Sequence, residues 1–391
     1  MFHELVNHND GIRRLLEKGY AIAFDSSYLV VRDIPYLNDQ RERKIGAIVT
    51  KLDIIDKIKI GKPDDHQIFF AGGHPHGLDG IAIPNLADRP TALTLVDKDV
   101  VVQRQFSNKP AEGFSNFFDK IESYVTIISG PAIELHGVSP LTFRIDKEVV
   151  SSSVFKFHDT LTSRAEIGDL ALRFKDDIIA LIGLGGTGAY VLDFLVKTPV
   201  KEIRAFDPDG FHIHNAFRSP GKLDETELGK KKGEVYQSRY DNFRSGFCAQ
   251  PKFIDALCAD EINGVTFAFV CVDKGSSRSG VFDLLMAKKI PFIDVGMGLH
   301  RKRGSLDGML RATYYSAETA AEIRGMQFAE TSDDPDEEYQ RNIQIAELNA
   351  LNASLAVIRY KQLRGFYFDN NSFYHLLFGV SDFDIAGISA Q

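Results

Sequence analysis

A glycine-rich loop at residues 182–188 constrains the fold of this chain more than any other segment. The loop reads Ile-Gly-Leu-Gly-Gly-Thr-Gly and joins an apolar run at 178–182 to a segment of helical periodicity. Glycines at such a junction permit a tight turn and let backbone N–H groups approach a phosphate at the helix N-terminus. The loop therefore predicts a nucleotide site, without distinguishing NAD from ATP, that contains Gly183, Gly185, Gly186 and Gly188.

The pattern around this loop predicts a doubly wound α/β fold with a mostly parallel sheet. A helix is predicted over 161–174, and further apolar runs at 203–206, 265–272 and 291–295 alternate with helical segments. Strands that alternate with helices favour a parallel sheet with right-handed crossovers. A long helix is predicted at 343–363, ended by Gly365, with an apolar stripe of Leu348, Leu351, Leu355 and Ile358. The acidic run 333–338 is interpreted as a solvated loop.

The first 150 residues predict a smaller α+β domain. Candidate strands lie at 21–34, 46–50, 67–71 and 91–102, and a helix is predicted over 113–128. The stretch 145–153, which contains three consecutive serines, is the predicted boundary. The chain is thus predicted to divide into domains 1–150 and 151–391.

Composition excludes several classes of protein. A chain of 391 residues with 44% hydrophobic and 26% charged residues is neither disordered nor a disulfide-stapled miniprotein. A net charge of −8 argues against a general nucleic-acid binder. No signal-peptide pattern opens the sequence and no apolar stretch is long enough to span a bilayer, so we expect a cytoplasmic protein without a membrane partner. Three cysteines without a C-x-x-C pair predict no zinc ribbon.

Three segments after the loop carry polar residues in a specific order. Residues 206–218 contain D-x-D-x₅-N-x-x-R, residues 229–232 supply G-x-x-K, and Asp273 ends a strand five residues before Arg278. The ordered combination of these segments is much more specific than the glycine loop alone. Taken singly, each has an ordinary structural explanation.

Together with the glycine loop, these segments resemble the ThiF/MoeB/ubiquitin-activating superfamily of adenylate-forming enzymes over roughly residues 160–365. The resemblance implies ATP and Mg²⁺ as cofactors. It implies that Asp207 and Asp209 lie in the nucleotide site, with Asp207 on the ribose. It also implies that Asn215 and Arg218 reach the phosphates. Lys232 would neutralise the departing pyrophosphate, and Asp273 would position the metal, charges that suit carboxylate attack on a phosphate and that a dehydrogenase does not need. Members commonly form dimers, so a homodimer is expected, in which Arg164 is a weak candidate for an arginine lent across the interface.

The sequence departs from its relatives in the segment that follows the predicted fifth strand. Thioester-forming relatives carry a cysteine in this crossover, whereas residues 296–340 contain none, and Lys274 stands where many relatives have asparagine. The available cysteines, Cys248, Cys258 and Cys271, have no evident activating neighbour. Two routes remain open: direct transfer of an acyl-adenylate, or an oxyester on Ser305, which follows the basic run 301–303 and a flexible glycine. A plain turn serine is the alternative.

The N-terminal half concentrates His66, His74 and His76 on a Gly-rich turn, which favours ordinary loop residues over a metal site. Segments at 36–38, 66–77 and 106–110 resemble an uncharacterised domain fused ahead of bacterial ThiF-like domains, found alongside ubiquitin-like proteins and conjugating-enzyme homologues. This resemblance implies a partner-recruiting module.

The leading hypothesis is ATP-dependent adenylation of the C-terminal carboxylate of a ubiquitin-like protein, followed by transfer to a conjugating-enzyme-like partner. Four alternatives remain open: activation for sulfur transfer, a tRNA-modifying dehydratase, an NAD-dependent oxidoreductase, and an inactive nucleotide-binding scaffold. Hydride transfer without pyrophosphate release would identify the oxidoreductase, and ATP affinity without turnover the scaffold.

Overall fold

The computed structural model describes residues 5–6, 8–56, 59–84, 86–144, 153–157, 159, 161–162, 165, 167–329, 331 and 343–389, and the chain divides into two compact units, 1–166 and 167–391. Residues 145–152 of the predicted boundary 145–153, the acidic run 333–338 and Arg164 lie outside the described residues. Among the residues that are described, no helix combines the length and apolar character needed to cross a membrane.

The N-terminal unit contains a six-stranded antiparallel sheet with helices packed on one face. The strands have the order β1-β2-β3-β4-β6-β5. Ile12 and Leu15 of the first helix, and Ile121 and Tyr124 of the second, share a buried core with Ile48 of the sheet. The elements are α1 Asp10–Lys18, β1 Ile22–Asp25, β2 Tyr28–Leu37, β3 Arg43–Lys51, β4 Gln67–Ala71, β5 Ala87–Pro90, β6 Arg104–Ser107 and α2 Phe117–His136.

Two strand predictions in this unit were wrong. The stretch 21–34 is not one strand, because a turn at Ser26 separates β1 from β2. Residues 91–102 form no strand: the Asp97 backbone N–H donates to the Asp25 carboxylate, and the Asp97 carboxylate accepts the Asp99 N–H, which closes a local turn. The apolar residues Leu95, Val100 and Val102 resemble a strand pattern in the sequence, but in the structure they are buried against the second face of the sheet.

The C-terminal unit is built on an eight-stranded sheet with the order β14-β13-β12-β11-β10-β7-β8-β9. Its elements are α3 Gly168–Ala171, β7 Ile178–Ile182, α4 Gly186–Val196, β8 Glu202–Phe206, α5 Ile213–Ala216, α6 Lys232–Tyr240, β9 Phe247–Gln250, β10 Phe267–Val270, α7 Gly275–Ala287, β11 Phe292–Lys302, β12 Ser305–Tyr315, α8 Ala320–Gly325, α9 Ala346–Leu363, β13 Phe373–Gly379 and β14 Asp384–Ser389.

This sheet has two parts with different strand directions. Strands β9, β8, β7, β10 and β11 are parallel, and we call them the parallel half; β12, β13 and β14 continue the sheet with antiparallel pairing and form the antiparallel half. Helices α4 and α9 pack on one face through residues such as Leu192 and Ala353, and α7 packs on the other through Phe282. The predicted doubly wound, mostly parallel α/β fold is confirmed.

Some details of this unit differ from prediction. Of the helix predicted over 161–174, the described residues show α3, a 3₁₀ turn at Leu172–Phe174 and helical backbone at 161–162, while 163, 164 and 166 lie outside the described residues. Helix α9 begins and ends close to the predicted positions, but Ile358 is 45% exposed, because the buried side of the helix carries Asn349 and Asn352 as well as apolar residues. Within the predicted crossover segment, β11 and β12 form a long hairpin.

Candidate nucleotide-binding site

The glycine loop connects β7 to α4 at the carboxyl edge of the parallel half. Gly183 has φ +96°, and a Cβ there would lie 2.6 Å from the Cys271 carbonyl oxygen. A Cβ on Gly188 would overlap the Gly183 carbonyl oxygen. The close approach of these backbones therefore requires glycine at both positions, whatever the loop binds.

Gly185 and Gly186 differ in what surrounds them. A Cβ on Gly186 would overlap the Asn349 side-chain amide, whereas a Cβ on Gly185 would meet no atom of the described residues within 4 Å. Gly185 is the N-cap of the 11-residue helix α4, and no side chain caps the helix there. The open space at Gly185 thus lies beside the unpaired N–H groups and positive dipole of a helix N-terminus, a combination that fits a phosphate.

Asp207 is buried and shapes the loop from within. Its carboxylate accepts the Leu184 backbone N–H at 2.7 Å and the Asp209 backbone N–H at 2.9 Å. The same two oxygens accept the Lys232 ammonium at 3.2 and 3.3 Å. A carboxylate offers about four acceptor positions, and these contacts occupy them, so Asp207 holds the loop in place rather than presenting free acceptors to a ribose.

Asp209 is the exposed acid beside it. Its side chain is 68% exposed, and its Oδ2 lies 2.9 Å from the buried Lys232 Nζ. The hydrogen bond from Lys232 holds the pKa of Asp209 below its ordinary value, so the carboxylate is ionised at neutral pH. Asp209 therefore combines charge with access to solvent, as a ribose-binding acid requires.

Asn215 and Arg218 lie in and after the short helix α5. Asn215 is buried, and its side-chain oxygen accepts the His212 N–H at 2.8 Å, which fixes the turn. The Arg218 Nε is buried and finds no acceptor among the described residues. A buried donor without a partner is costly in a folded protein. Arg218 is thus poised for an anion, and its charge, after burial itself, also lowers the pKa of His214.

Asp273 and Ser305 lie at different places. Asp273 is exposed just after β10, two residues beyond Cys271, whose carbonyl packs against Gly183. Ser305 is exposed at the tip of the β11–β12 hairpin, and its hydroxyl has no hydrogen-bond partner in the described part of the chain. A cavity of about 350 Å³ at Ser305 is lined also by Arg301, Gly304, Leu306 and Ile343. None of the described contacts joins Ser305 to Arg218 or Lys232.

Two polar residues of this site, Asn349 on α9 and Gln344 just before it, are not among the residues predicted from the sequence. Asn349 accepts the Thr187 hydroxyl at 2.9 Å and donates to the Arg218 carbonyl oxygen at 3.2 Å. The Gln344 side-chain oxygen is buried without a partner in the described structure and would lie 2.7 Å from a Cβ on Gly186. The available sequence signal for Asn349 was its position three residues before Asn352 inside an otherwise apolar helical pattern.

Other candidates from the sequence have local explanations. Arg278 is buried and bonds the Asp294 carboxylate and the Val272 carbonyl oxygen. Burial raises the pKa of the Cys271 thiol well above its usual range. Among the histidines, His66 pairs with Ser107, His74 with Asp88, and His76 with the His74 carbonyl oxygen.

A magnesium ion would find one carboxylate here rather than a cage. The described residues contain no group of three side chains of the histidine, cysteine or acidic type that could hold a metal. Mg²⁺ usually binds through one or two carboxylates together with substrate phosphates and water. The exposed Asp273 fits that pattern, and it bonds to no other described side chain.

Comparison with family models assigns both parts of the chain. Residues 164–349 match the ThiF family, and residues 10–160 match a domain of unknown function, DUF6791. Residues 164–349 are a ThiF family domain. Comparison with curated proteins finds no match.

Several solved structures are similar to the chain at low identity. E. coli MccB with ATP is 15% identical with a TM-score of 0.41, over 56% of this chain and 65% of MccB. PaaA is 14% identical with a TM-score of 0.46, over 70% of this chain and 92% of PaaA. E. coli tRNA N6-threonylcarbamoyladenosine dehydratase, TcdA, with AMP is 16% identical with a TM-score of 0.41, over 53% of this chain and 93% of TcdA. The chain thus spans about two thirds of the MccB length.

Proposed function

We propose that the ThiF domain uses ATP to adenylate the carboxyl-terminal carboxylate of a ubiquitin-like protein. The observation that carries the proposal is that the buried Arg218 Nε has no acceptor among the described residues, in a unit whose glycine loop has no described atom within 4 Å of a Cβ on Gly185. A helix N-terminus and an arginine donor without an acceptor are both suited to phosphate oxygens. The family assignment of residues 164–349 is consistent with this use.

In the proposed reaction a carboxylate oxygen of the substrate attacks the α-phosphorus of ATP. The new bond joins that oxygen to phosphorus, and the bond from phosphorus to the bridging oxygen of the β-phosphate breaks, so that pyrophosphate leaves with the electron pair. Arg218 and the N–H groups of α4 stabilise the negative charge that develops on the α-phosphate. Asp273 would hold Mg²⁺, which when bound supplies further charge neutralisation to the phosphates.

Lys232 and Asp209 act together in this proposal. In the structure Lys232 is held between Asp207 and Asp209. Asp209 is the exposed member, so it can give up its bond to Lys232 and accept ribose hydroxyls instead. The freed ammonium donor then faces the pyrophosphate, while Asp207 keeps Lys232 in place.

A protein tail is the favoured substrate because of the surface beside Arg218. Phe217 is 80% exposed, and Ile213 on α5 is also exposed. An apolar surface next to a polar site favours an extended peptide over a small polar metabolite. The resemblance of the N-terminal half to domains found alongside ubiquitin-like proteins favours that substrate class, and we propose that residues 1–150 recruit the partner.

Transfer from the adenylate is proposed to be direct to a conjugating-enzyme-like partner. An oxyester on Ser305 would require a base to activate the hydroxyl, and the described residues place no histidine or carboxylate in hydrogen-bond contact with it. The homodimer and the cytoplasmic location remain predictions.

The test is the AMP adduct itself. The full chain with ATP and Mg²⁺ is incubated with a panel of diglycine-ended ubiquitin-like proteins, short peptides and tRNA, and each is examined by mass spectrometry. We expect an AMP group on the carboxyl terminus of one ubiquitin-like protein, and none on the same protein with an amidated terminus. Adducts on peptides alone, or on tRNA alone, would contradict the substrate class, and ATP binding without any adduct would indicate the inactive scaffold.

A further inference from the structure

Asn349 is a buried side chain that lies away from every segment used to recognise the nucleotide site. It is fully buried in the first turn of α9, more than 130 residues after Arg218 in the sequence. Its two amide atoms bond to two different parts of the site. Most buried side-chain amides in folded proteins make hydrogen bonds, since burial without partners is costly.

The acceptor side of Asn349 holds the start of α4. The Thr187 hydroxyl donates to Asn349 Oδ1 at 2.9 Å, and Thr187 is the second residue of that helix. Gly186, just before it, leaves the space that the Asn349 amide occupies. Asn349 therefore fixes the turn whose N–H groups line the open space at Gly185.

The donor side of Asn349 holds the arginine. Its Nδ2 donates to the Arg218 main-chain carbonyl oxygen at 3.2 Å. The side chain of this same residue carries the Nε that has no acceptor among the described residues. One amide thus spans the distance between the glycine loop and the arginine.

We propose that Asn349 is a positioning residue that sets the separation between the N-terminus of α4 and Arg218, so that both bind the same polyphosphate. This inference rests on the proposed function for its ligand, ATP, but its geometric part does not. Asparagine suits the task because one side acts as donor and the other as acceptor. Neither aspartate nor leucine reproduces that pair, and aspartate adds a buried negative charge beside the phosphate position.

The chain contains a matched control for Asn349. Asn352 lies one turn further along α9, is equally buried, and donates to the Gly296 carbonyl oxygen at 2.9 Å. No hydrogen bond joins its side chain to Thr187 or Arg218 in the described structure. Substitution of either asparagine by alanine removes a buried amide from the same helix, so a general loss of packing appears in both variants.

The first experiment measures coupling with ATP as the probe. The Kd for ATP is determined by calorimetry for wild type, Asn349→Ala, Arg218→Ala and the double variant, with Asn352→Ala and its Arg218 double variant as the parallel set. We expect Asn349→Ala to raise the Kd for ATP about tenfold. We expect the factor by which Arg218→Ala raises this Kd to be several-fold smaller in the Asn349→Ala background than in wild type. In the Asn352 background the Arg218 effect is expected to be unchanged. If the double variant raises Kd by the product of the factors of Asn349→Ala and Arg218→Ala, the two residues act independently and the proposal is overturned.

A second experiment does not depend on ATP. Hydrogen exchange is followed by mass spectrometry in peptides that cover 183–190 and 213–219. We expect faster exchange in both peptides for Asn349→Ala and in neither for Asn352→Ala. Equal effects of the two variants would show a structural role only.

The two proposals fail in different ways. If Asn349 and Arg218 are coupled in the Kd measurements and Asn349→Ala speeds hydrogen exchange, but no AMP adduct forms, Asn349 is the positioning residue of a nucleotide site that does not adenylate. AMP adducts with multiplicative effects and unchanged exchange would leave the proposed function and remove the role of Asn349. If ATP does not bind at all, the proposed function fails and hydrogen exchange alone decides the role of Asn349.

Discussion

The two halves of the eight-stranded sheet treat their polar groups differently. At the carboxyl edge of the parallel half, the Arg218 Nε has no acceptor among the described residues, and Asp209 and Asp273 face solvent. In the antiparallel half, polar groups are paired across strands, as Thr313 of β12 is with His375 of β13. Arg311, also on β12, pairs with Asp294 on the adjacent strand β11. Parallel strands end at one edge and collect side chains for a ligand, whereas antiparallel neighbours face each other and satisfy one another.

The largest expected effect is on the parallel half. Arg218→Ala should lower the rate of adenylate formation about 10²–10³-fold, because one preorganised donor to the developing charge is lost. The measurement is single-turnover formation of pyrophosphate with the identified substrate. Arg324→Ala, which removes a surface pair with Asp283, is the control and should leave the rate unchanged. A rate within twofold of wild type for Arg218→Ala would show that the Arg218 guanidinium, whose Nε has no acceptor among the described residues, serves another purpose.

Substitution of two adjacent glycines in the loop should have different effects, one on the stability of the fold and the other on ATP binding. Gly186→Ala should destabilise the fold by about 1–3 kcal/mol, because its Cβ overlaps the Asn349 amide. Gly185→Ala should leave the thermal midpoint nearly unchanged, since φ is −70° and the space is open, but its methyl group intrudes where a phosphate would lie. Thermal unfolding and ATP calorimetry on both variants measure the two effects. Equal ATP affinity of Gly185→Ala and wild type would place the phosphates elsewhere.

The antiparallel half should respond to pH through His375. Burial, and then the charge of Arg311, lower its pKa from 6.5 to about 4. Between these values the unfolded chain binds more protons than the folded one, so the stabilising contribution is complete above about pH 6.5 and is lost as the pH falls toward 4. The slope reaches at most about 1.4 kcal/mol per pH unit.

His375→Asn removes this titration. Chemical denaturation between pH 4 and pH 7 should give a shallower pH dependence for the variant than for wild type. Parallel pH profiles for the two proteins would contradict the assignment of the lowered pKa to His375.

The smallest effect is expected at the hairpin tip. Ser305→Ala should leave both adenylate formation and transfer to the conjugating partner unchanged, because the exposed hydroxyl has no base in contact among the described residues. Transfer is followed as loss of the AMP adduct in the presence of the partner. A variant that forms the adenylate normally but cannot pass on the acyl group would instead establish the oxyester.

The fold of the C-terminal unit could be predicted from sequence because its signals are local. Apolar runs mark β7 and β8, and the glycines between β7 and α4 mark the loop. The irregular stretch 91–102 could not be predicted in this way. Its apolar residues Leu95 and Val100 resemble a strand pattern because they are buried against a sheet, but the turn at Asp97 interrupts the chain.

The site was predictable only in part. Its motif residues are encoded in order along the chain, but their partners are not. Nothing in the sequence says that Lys232 lies between Asp207 and Asp209, or that Asn349 reaches Arg218 from a distant helix. These contacts depend on how helices pack over the sheet, and long-range packing has no local signature.

The most direct test of the central claim is exchange of labelled pyrophosphate into ATP. Adenylation is reversible, so label enters ATP only if an acyl-adenylate forms and is attacked by pyrophosphate. We expect exchange that requires both a ubiquitin-like protein with a free carboxyl terminus and an intact Arg218. Exchange that proceeds without a carboxylate substrate, or no exchange with any member of the panel while ATP binds, would contradict it.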